Sequence, residues 1–596
     1  MRLIYLLFFI TFTCITTVAQ NRSHTLLNSW YLENNQDDVE GENFNDLVDQ
    51  YDHIVFTKND MYNKSAWKQF FFLTKLELAA IELYLSNHEN EVSVLFLNQI
   101  PMISKEKAFL VYNRFTREKR VKQTQSNIKY FSSYLQPAFS ESDFKQRNRF
   151  YLSSPNASFY LQTEQDVGEI DLFDFSSGGV KISHSNFNLY LGDYILKHGL
   201  GLSLHQGFQF SNFNILQLQN NSGITLHRGS QENNFFRGLG LEYFHNKSIA
   251  IKAFGSIKKT DATYLNNEVR NMFTSGVHLT HTDYQNRNAL EVKSFGVGLE
   301  LNSKHLKNDI LLHNHYFEKS LLGFENQTFN KQHAISNYFS WIQSQYVASL
   351  ELNLDQNKYF SYLGSFNYHL GHSFYLNYYR GKEHGMIKNY FRNIPDAYST
   401  PEQFFGYQLE LNRKKLKTHL SYQESKKLIK EIDWGKKQTL RLFTQLKTQN
   451  HQRFQLNLNY TRNFSNESDL TYEELLRSNI KLNLNKRGKW DWVLQWQIKS
   501  LDQKGVGFRQ AISYHYKAFK FHYGFAIYNQ NSGAFYFFET DVPSYGYQRA
   551  YYNSGVLHYV MTQFKYQNKT IYIKIRSLTD NKGKQVGLSC GFKIKI

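Results

Sequence analysis

Three groups of residues in this sequence have the types that chemistry needs. The first is acidic: Glu164, Asp166 and Glu169 sit close enough to share a divalent cation. Their spacing does not reproduce a calcium loop, so a solvated turn is expected and no metal. The second is a set of histidines, His184, His198, His205 and His227, among serines and asparagines. Hydrolytic triads are set by geometry and not by spacing, so a barrel-embedded lipid hydrolase stands as an alternative. The third is a set of cations and a hydroxyl, Lys75, Ser104, Lys105 and Lys107, at the starts of expected helices. His88-Glu89-Asn90-Glu91-Val92 opens like a zinc-protease motif but lacks the second histidine. No G-x-S-x-G, Walker or clustered Cys/His pattern occurs. The expectation is therefore no catalytic residue, no cofactor and no enzyme.

The elements that must position these residues change character along the chain. Residues 1–19 combine one Arg, an apolar run and small residues at Thr17-Val18-Ala19, the pattern of a secretory signal peptide. Residues 20–60 are an acidic linker in which Phe44, Leu47, Val48 and Tyr51 recur at the spacing of one short helix. Residues 61–118 read as helical. Ser65–Phe70 is a short helix, Phe71-Phe72-Leu73 a tight connection, and Thr74-Lys75-Leu76-Glu77 a capping box that opens a longer helix. The pattern repeats about 30 residues later. Val94–Gln99 is short, Ile100-Pro101-Met102-Ile103 is a hairpin, and Ser104 caps a helix to about Phe115. Residues 119–145 are expected to be a linker with a basic start.

From 146 to 596 the period falls to two. Trp490, Trp492, Leu494, Trp496 and Ile498 alternate with Asp491, Val493, Gln495 and Gln497. Phe519–Ile527 and Ile571–Arg576 alternate in the same way, and so does the final stretch. There Val586, Leu588, Cys590, Phe592, Ile594 and Ile596 share one face. Runs of this length fit tilted membrane strands. The expectation is a mainly β chain: a large antiparallel transmembrane β-barrel of roughly 18–24 strands, preceded by the small helical domain. Segments 260–292, 381–402 and 529–554 are long enough to be outer loops or an inward-folded plug. A β-sandwich would break into repeats of about 100 residues, and none is found.

Composition agrees. The 596 residues include 42 Tyr and 50 Phe but 6 Pro, while mean hydropathy is −0.55. Many aromatics in a polar chain suit strands that are half lipid-facing, with aromatic girdles. The net charge of +18 fits a basic lumen and loops beside anionic lipopolysaccharide. Of the two cysteines, Cys14 lies in the leader and leaves Cys590 without an intrachain partner.

Two short-helix, hairpin, long-helix units behind a signal peptide and ahead of such strands resemble the Bacteroidetes helix-hairpin-helix outer-membrane β-barrel proteins. The resemblance continues through Glu164–Glu169, Asp174–Ser177, Leu191-Gly192-Asp193-Tyr194, His198–Leu202, Glu232–Gly238, Gly276–Thr280 and Glu539–Pro543. It implies a helical domain in the periplasm that binds the DNA backbone without reading sequence. Lys75, Lys105 and Lys107 would contact phosphate, and Ser104 would cap and donate at a helix N-terminus. The hairpins depart from that family: the first has no glycine, and Met102 stands where one is expected.

The functional expectation is an outer-membrane pore or plugged channel in a Gram-negative bacterium, with DNA uptake or tethering through the helical module. A structural or assembly scaffold that docks a periplasmic protein is the alternative. Phe70, Phe71 and Phe72 would favour docking if exposed and form the module's core if buried. Expected partners are outer-membrane lipid and lipopolysaccharide, DNA or a periplasmic protein, and the barrel-assembly machinery. Phe592, Ile594 and Ile596 are the expected assembly signal.

Overall fold

The structure is a computed structural model. It describes most residues between 128 and 596, the helix Lys105–Tyr112, and scattered residues from 51 onward. The signal peptide, nearly all of the acidic linker, and segments such as 207–222, 383–401 and 540–546 lie outside the described residues.

Period-two sequence produces one antiparallel sheet that closes on itself. The last strand, Gly583–Lys595, pairs with the strand before it, Lys569–Asp580, and with the first, Ile128–Pro137. Closure pairs Tyr130–Leu135 of one edge with Cys590–Lys595 of the other, as a sheet surrounded by hydrocarbon requires. Among the described residues the sheet holds 27 strands. Three of these, Gly223–Leu226, Ala262–Leu265 and Glu268–Met272, lie off the circuit, which leaves 24 in the wall. That is the upper bound of the range read from the sequence, and even.

The wall begins earlier than expected. Ile128–Pro137 lies inside the stretch read as a basic linker, and it pairs with Phe144–Ser153 over its whole length. Its Ile-Lys-Tyr-Phe-Ser-Ser-Tyr-Leu sequence breaks the apolar–polar alternation. Its two neighbours, one of them the far end of the chain, make it a strand.

Alternation sets the faces. Leu420, Leu440, Trp490, Trp492, Ile571 and Ile573 are exposed on the outside. Gln423, Arg441, Gln455, Gln495, Arg509 and Lys574 are buried on the inside. An exposed apolar band of this extent around a closed sheet is a lipid-facing belt. The fold is a transmembrane β-barrel of the outer-membrane type. Cys590 stands opposite Ile573 and Phe592 opposite Ile571, so both belong to the lipid face. The side chain of Ile594, and Ile596 altogether, lie outside the described residues. Phe592→Ala is expected to slow barrel insertion by the assembly machinery, measured as the folded fraction against time. Unchanged insertion would count against a recognition role.

In the helical segment the described apolar side chains are mostly covered. Trp67, Phe70, Phe72, Leu73, Ile81, Leu97, Ile100, Ile103 and Val111 are buried. The backbone N–H of Phe70 donates to Trp67 and that of Ile103 to Ile100. Phe70 and Phe72 are therefore core residues and offer no docking face; Phe71 is outside the described residues. Lys107 donates to both carboxylate oxygens of Glu77, at 2.9 and 2.7 Å, across a separation of 30 residues. That separation equals the spacing of the two units, so equivalent positions pair with each other.

Candidate functional site: two hairpins latched to the inner wall

The site begins where the wall bends. Gly192 has φ +91° and Gly238 has φ +155°, and they stand opposite each other on adjacent strands, Phe187–Lys197 and Phe236–Phe244. A Cβ on Gly192 would lie 2.4 Å from the Gly178 carbonyl oxygen. Only glycine permits that backbone and that approach. Beyond this point Phe187–Lys197 leaves the wall, and residues Tyr194–Lys197 pair with the off-wall strand Gly223–Leu226. Tyr194 lies across the wall and donates to the carbonyls of Leu239 and Gly255. Asp193, fully covered, accepts two bonds from Arg237 at 2.7 and 2.9 Å and one from the Gly178 N–H.

The chain then makes an inward hairpin. His198 N–H donates to Leu204, and Gln206 N–H to Leu196. The hairpin tip meets Glu351, on the inner face of the wall strand Tyr346–Asp355; the adjacent Leu350 is 37% exposed on the outer face. Glu351 is 0% exposed. It accepts N–H bonds from Leu200 at 2.5 Å, Leu202 at 3.2 Å and Ser203 at 3.2 Å, and an O–H bond from Ser336 at 2.9 Å. Charge-assisted bonds of this kind are the strong ones. Around them, Leu200 and Leu202 pack on Tyr338, Leu363 and Tyr379. A larger apolar cluster joins Tyr194, Leu196, Leu204, Ile224, Phe236 and Phe254.

A second hairpin folds in from the opposite end of the sequence. The strands Phe519–Glu539 and Tyr547–Tyr566 are the two longest, and their register shifts between Asn529 and Ala534. The shift lets the hairpin bend. Glu539 thus reaches down to the middle of Lys569–Asp580. There Lys574 donates to it at 3.0 Å, Arg576 at 3.3 Å, and the Tyr551 hydroxyl also donates. Phe535 and Phe537 pack with Tyr528 and Tyr551. Each hairpin is thus held by one buried carboxylate. In the first the carboxylate belongs to the wall; in the second it belongs to the hairpin.

A charged node joins segments around Asp174, Asp261 and His278. His278, in the loop before the helix His281–Asn286, faces Asp174 at 2.7 Å through Nδ1 and Asp261 at 3.1 Å through Nε2. Its backbone N–H donates to Glu169, and Arg287 contacts Asp174 at 2.9 Å. Burial alone pushes the imidazolium down, but the hydrogen bonds and charges of Asp174 and Asp261 more than offset this and hold it up to about 10. Glu169, Asp174 and His278 are close enough to be cation ligands. An imidazole that donates from both nitrogens has no lone pair for a metal, so the node is an ion-pair cluster. Its stabilisation is complete below the ordinary histidine range and is lost as pH rises through about 10. The loop 276–289 is expected to resist proteolysis at neutral pH and to open near pH 10, a step that His278→Gln abolishes.

The residues singled out from the sequence fall in several places. Glu164 pairs with Arg147 at 2.5 Å, and Asp166 is outside the described residues. His184 is exposed in a short turn, and His227 stacks on Phe235. His198 lies 3.6 Å from Asp309, and His205 bridges back to Lys197. Ser203 Oγ lies 2.6 Å from His313 Nε2, and His313 contacts His315 at 3.0 Å. This resembles a nucleophile–base pair, but Ser203 is 0% exposed and the neighbouring amides already serve Glu351. The geometry holds a hairpin and leaves no place for an ester. Lys75 and Ser104 lie outside the described residues; Lys105 opens its helix, with an undescribed side chain. Sequence reading missed Glu351, Asp309, His313 and Lys574, which look like ordinary polar positions of alternating strands.

No known family model matches the sequence, and no curated protein matches it. Among solved structures it is similar to a mutant ferric enterobactin receptor, PfeA, of Pseudomonas aeruginosa. Identity is 7% over 79% of this chain and 81% of that one, with a TM-score of 0.40. The siderophore receptor PirA of Acinetobacter baumannii gives 8% identity over 80% and 81%, with a TM-score of 0.40. The P pilus usher PapC translocation pore gives 8% over 79% and 99%, with a TM-score of 0.35. Likenesses this low carry nothing about substrate.

Proposed function

We propose that this protein is an outer-membrane channel held shut by its own inward-folded hairpins. The observation that carries the reading is the pair of buried carboxylate latches, Glu351 and Glu539, each fixing a hairpin to the inner wall. A scaffold needs a closed wall and a filled core. It does not need two hairpins that bend in at a glycine corner and a register shift and are then held by charge-assisted bonds. Planar-bilayer recordings of the full chain test the reading. The wild type is expected to stay mostly closed, and Glu539→Ala to show larger and more frequent openings. A barrel that never conducts, with either latch removed, would leave the scaffold reading ahead.

The finer part of the proposal concerns the helical unit. On the resemblance to helix-hairpin-helix proteins, it faces the periplasm and contacts nucleic-acid backbone. Because Glu77 already holds Lys107, phosphate contacts fall to Lys75, Ser104 and Lys105. A gel shift with the full chain should then weaken steeply with salt. No shift at low salt would leave a protein partner as the ligand of this unit.

A further inference from the structure

The inner wall has two unlike arcs. In the arc between residues 164 and 351 the carboxylates are all engaged: Asp193 by Arg237, Glu300 and Asp309 by Lys252, and Glu351 by the hairpin amides. The arc built from Leu416–Lys427, Lys436–Lys447, Arg453–Phe464, Tyr472–Lys486, Trp490–Leu501 and Gly505–Tyr516 differs. On its inward face, among the described side chains, the only carboxylate is Asp491.

Register places the cations of this arc in rows. Arg441 stands opposite Asn459, Asn459 opposite Arg477, and Arg477 opposite Lys499. Four residues toward the opposite rim runs a second row: Gln445, Gln455, Lys481, Gln495 and Arg509. Between them lie Asn457, Asn479 and Gln497. Like charges directly opposite each other destabilise a sheet, yet Arg477 and Lys499 are so placed. Buried amides normally satisfy one another. Here Asn457 Oδ1, Asn483 Oδ1 and Arg509 Nε are buried with no hydrogen-bond partner among the described residues. Both features cost stability and both disappear when an anionic, hydrogen-bonding ligand lies on the face.

We propose that this arc binds an anionic, hydroxyl-rich saccharide chain. Guanidinium and ammonium groups take its sulfate, phosphate or carboxylate groups. Carboxamides, each with donors and an acceptor, match its hydroxyls. A row of five strands spans on the order of 20 Å, the reach of a short oligosaccharide rather than of a single small anion. Single-stranded nucleic acid fits less well, because it needs aromatic platforms for its bases. Phe443 is the one Phe, Tyr or Trp on this face among the described residues. The second hairpin borders the site, since Lys499 donates to Gln530 at 3.1 Å.

The proposal deepens the channel reading and rests on the same lumen, but binding needs no conduction, so the two fail separately. The test is calorimetric titration of the detergent-solubilised full chain with dextran sulfate and with uncharged dextran. Dextran sulfate is expected to bind with an affinity that falls steeply with salt, and dextran not to bind. Combined Arg441→Gln, Arg477→Gln and Arg509→Gln should weaken binding at least tenfold. Lys569→Gln with Lys584→Gln, on exposed positions, should not. Should the triple variant fail to fold, Arg477→Gln alone is expected to weaken binding severalfold. Equal loss in inner and outer variants would overturn the proposal. So would no binding by either the wild type or Glu539→Ala. Competition by a single-stranded oligonucleotide as strong as by dextran sulfate itself would overturn the saccharide assignment.

Discussion

Glu351→Ala is expected to free the first hairpin and turn a mostly closed barrel into one that conducts. The substitution removes one side chain and strands four donors, the amides of Leu200, Leu202 and Ser203 and the hydroxyl of Ser336. Breaking one side of a buried, charge-bearing network typically costs about 3–5 kcal/mol. That exceeds what the small apolar contact of Leu200 and Leu202 with Tyr338, Leu363 and Tyr379 can recover. The wall is untouched, because Glu351 and its neighbours keep their backbone ladder. The expected signature is therefore selective: larger and longer openings, new protease cleavage near residues 198–206, and an unchanged folded band on unheated gels. Glu351→Gln should fall between, since an amide offers one acceptor oxygen where the carboxylate offers two. Closed behaviour in both variants would mean that the hairpin is held by its apolar contacts alone.

Gly192→Val should act on assembly and not on gating. A side chain there meets φ +91° and a backbone oxygen at 2.4 Å. The left-handed strain alone is about 1–2 kcal/mol, and a clash with backbone cannot be relieved by a rotamer. Because Gly192 pairs with Gly238 and Gly179 on its two sides, the disturbance reaches three wall strands. The expected result is a large loss of folded, membrane-inserted protein. Gly583→Ala is the matched control. Its φ of +116° carries the same backbone strain, but nothing lies within 4 Å of the added carbon, so its loss should be clearly the smaller. Equal loss in both would show that backbone conformation, and not close approach, is what matters.

How far the sequence could be read depended on whether neighbours in the chain are also neighbours in space. Trp490–Ile498 could be assigned its faces residue by residue, because a strand's period is local and the lipid rewards every second side chain. Phe70 and Ile100 could be singled out as apolar positions for the same reason, and both are buried. Ile128–Pro137 was not legible, because its alternation is broken and its partners lie at both ends of the barrel. Leu191-Gly192-Asp193-Tyr194 and Glu232–Gly238 could be singled out as motifs, but not explained. Their meaning is that Asp193 meets Arg237 and Gly192 meets Gly238.

By itself, then, the sequence determined the material of the wall: strands with one greasy and one polar face, long enough to cross hydrocarbon. Local alternation and the absence of any alternative burial for so many aromatics leave little choice. Tertiary structure alone decided which segments meet the inner wall and what holds them there. Glu351 and Leu200 lie 151 residues apart, and Glu539 and Lys574 lie 35 apart. A carboxylate on an inward strand face reads the same whether it borders water or clamps a hairpin. The difference is made by which distant segment the closed barrel brings against it.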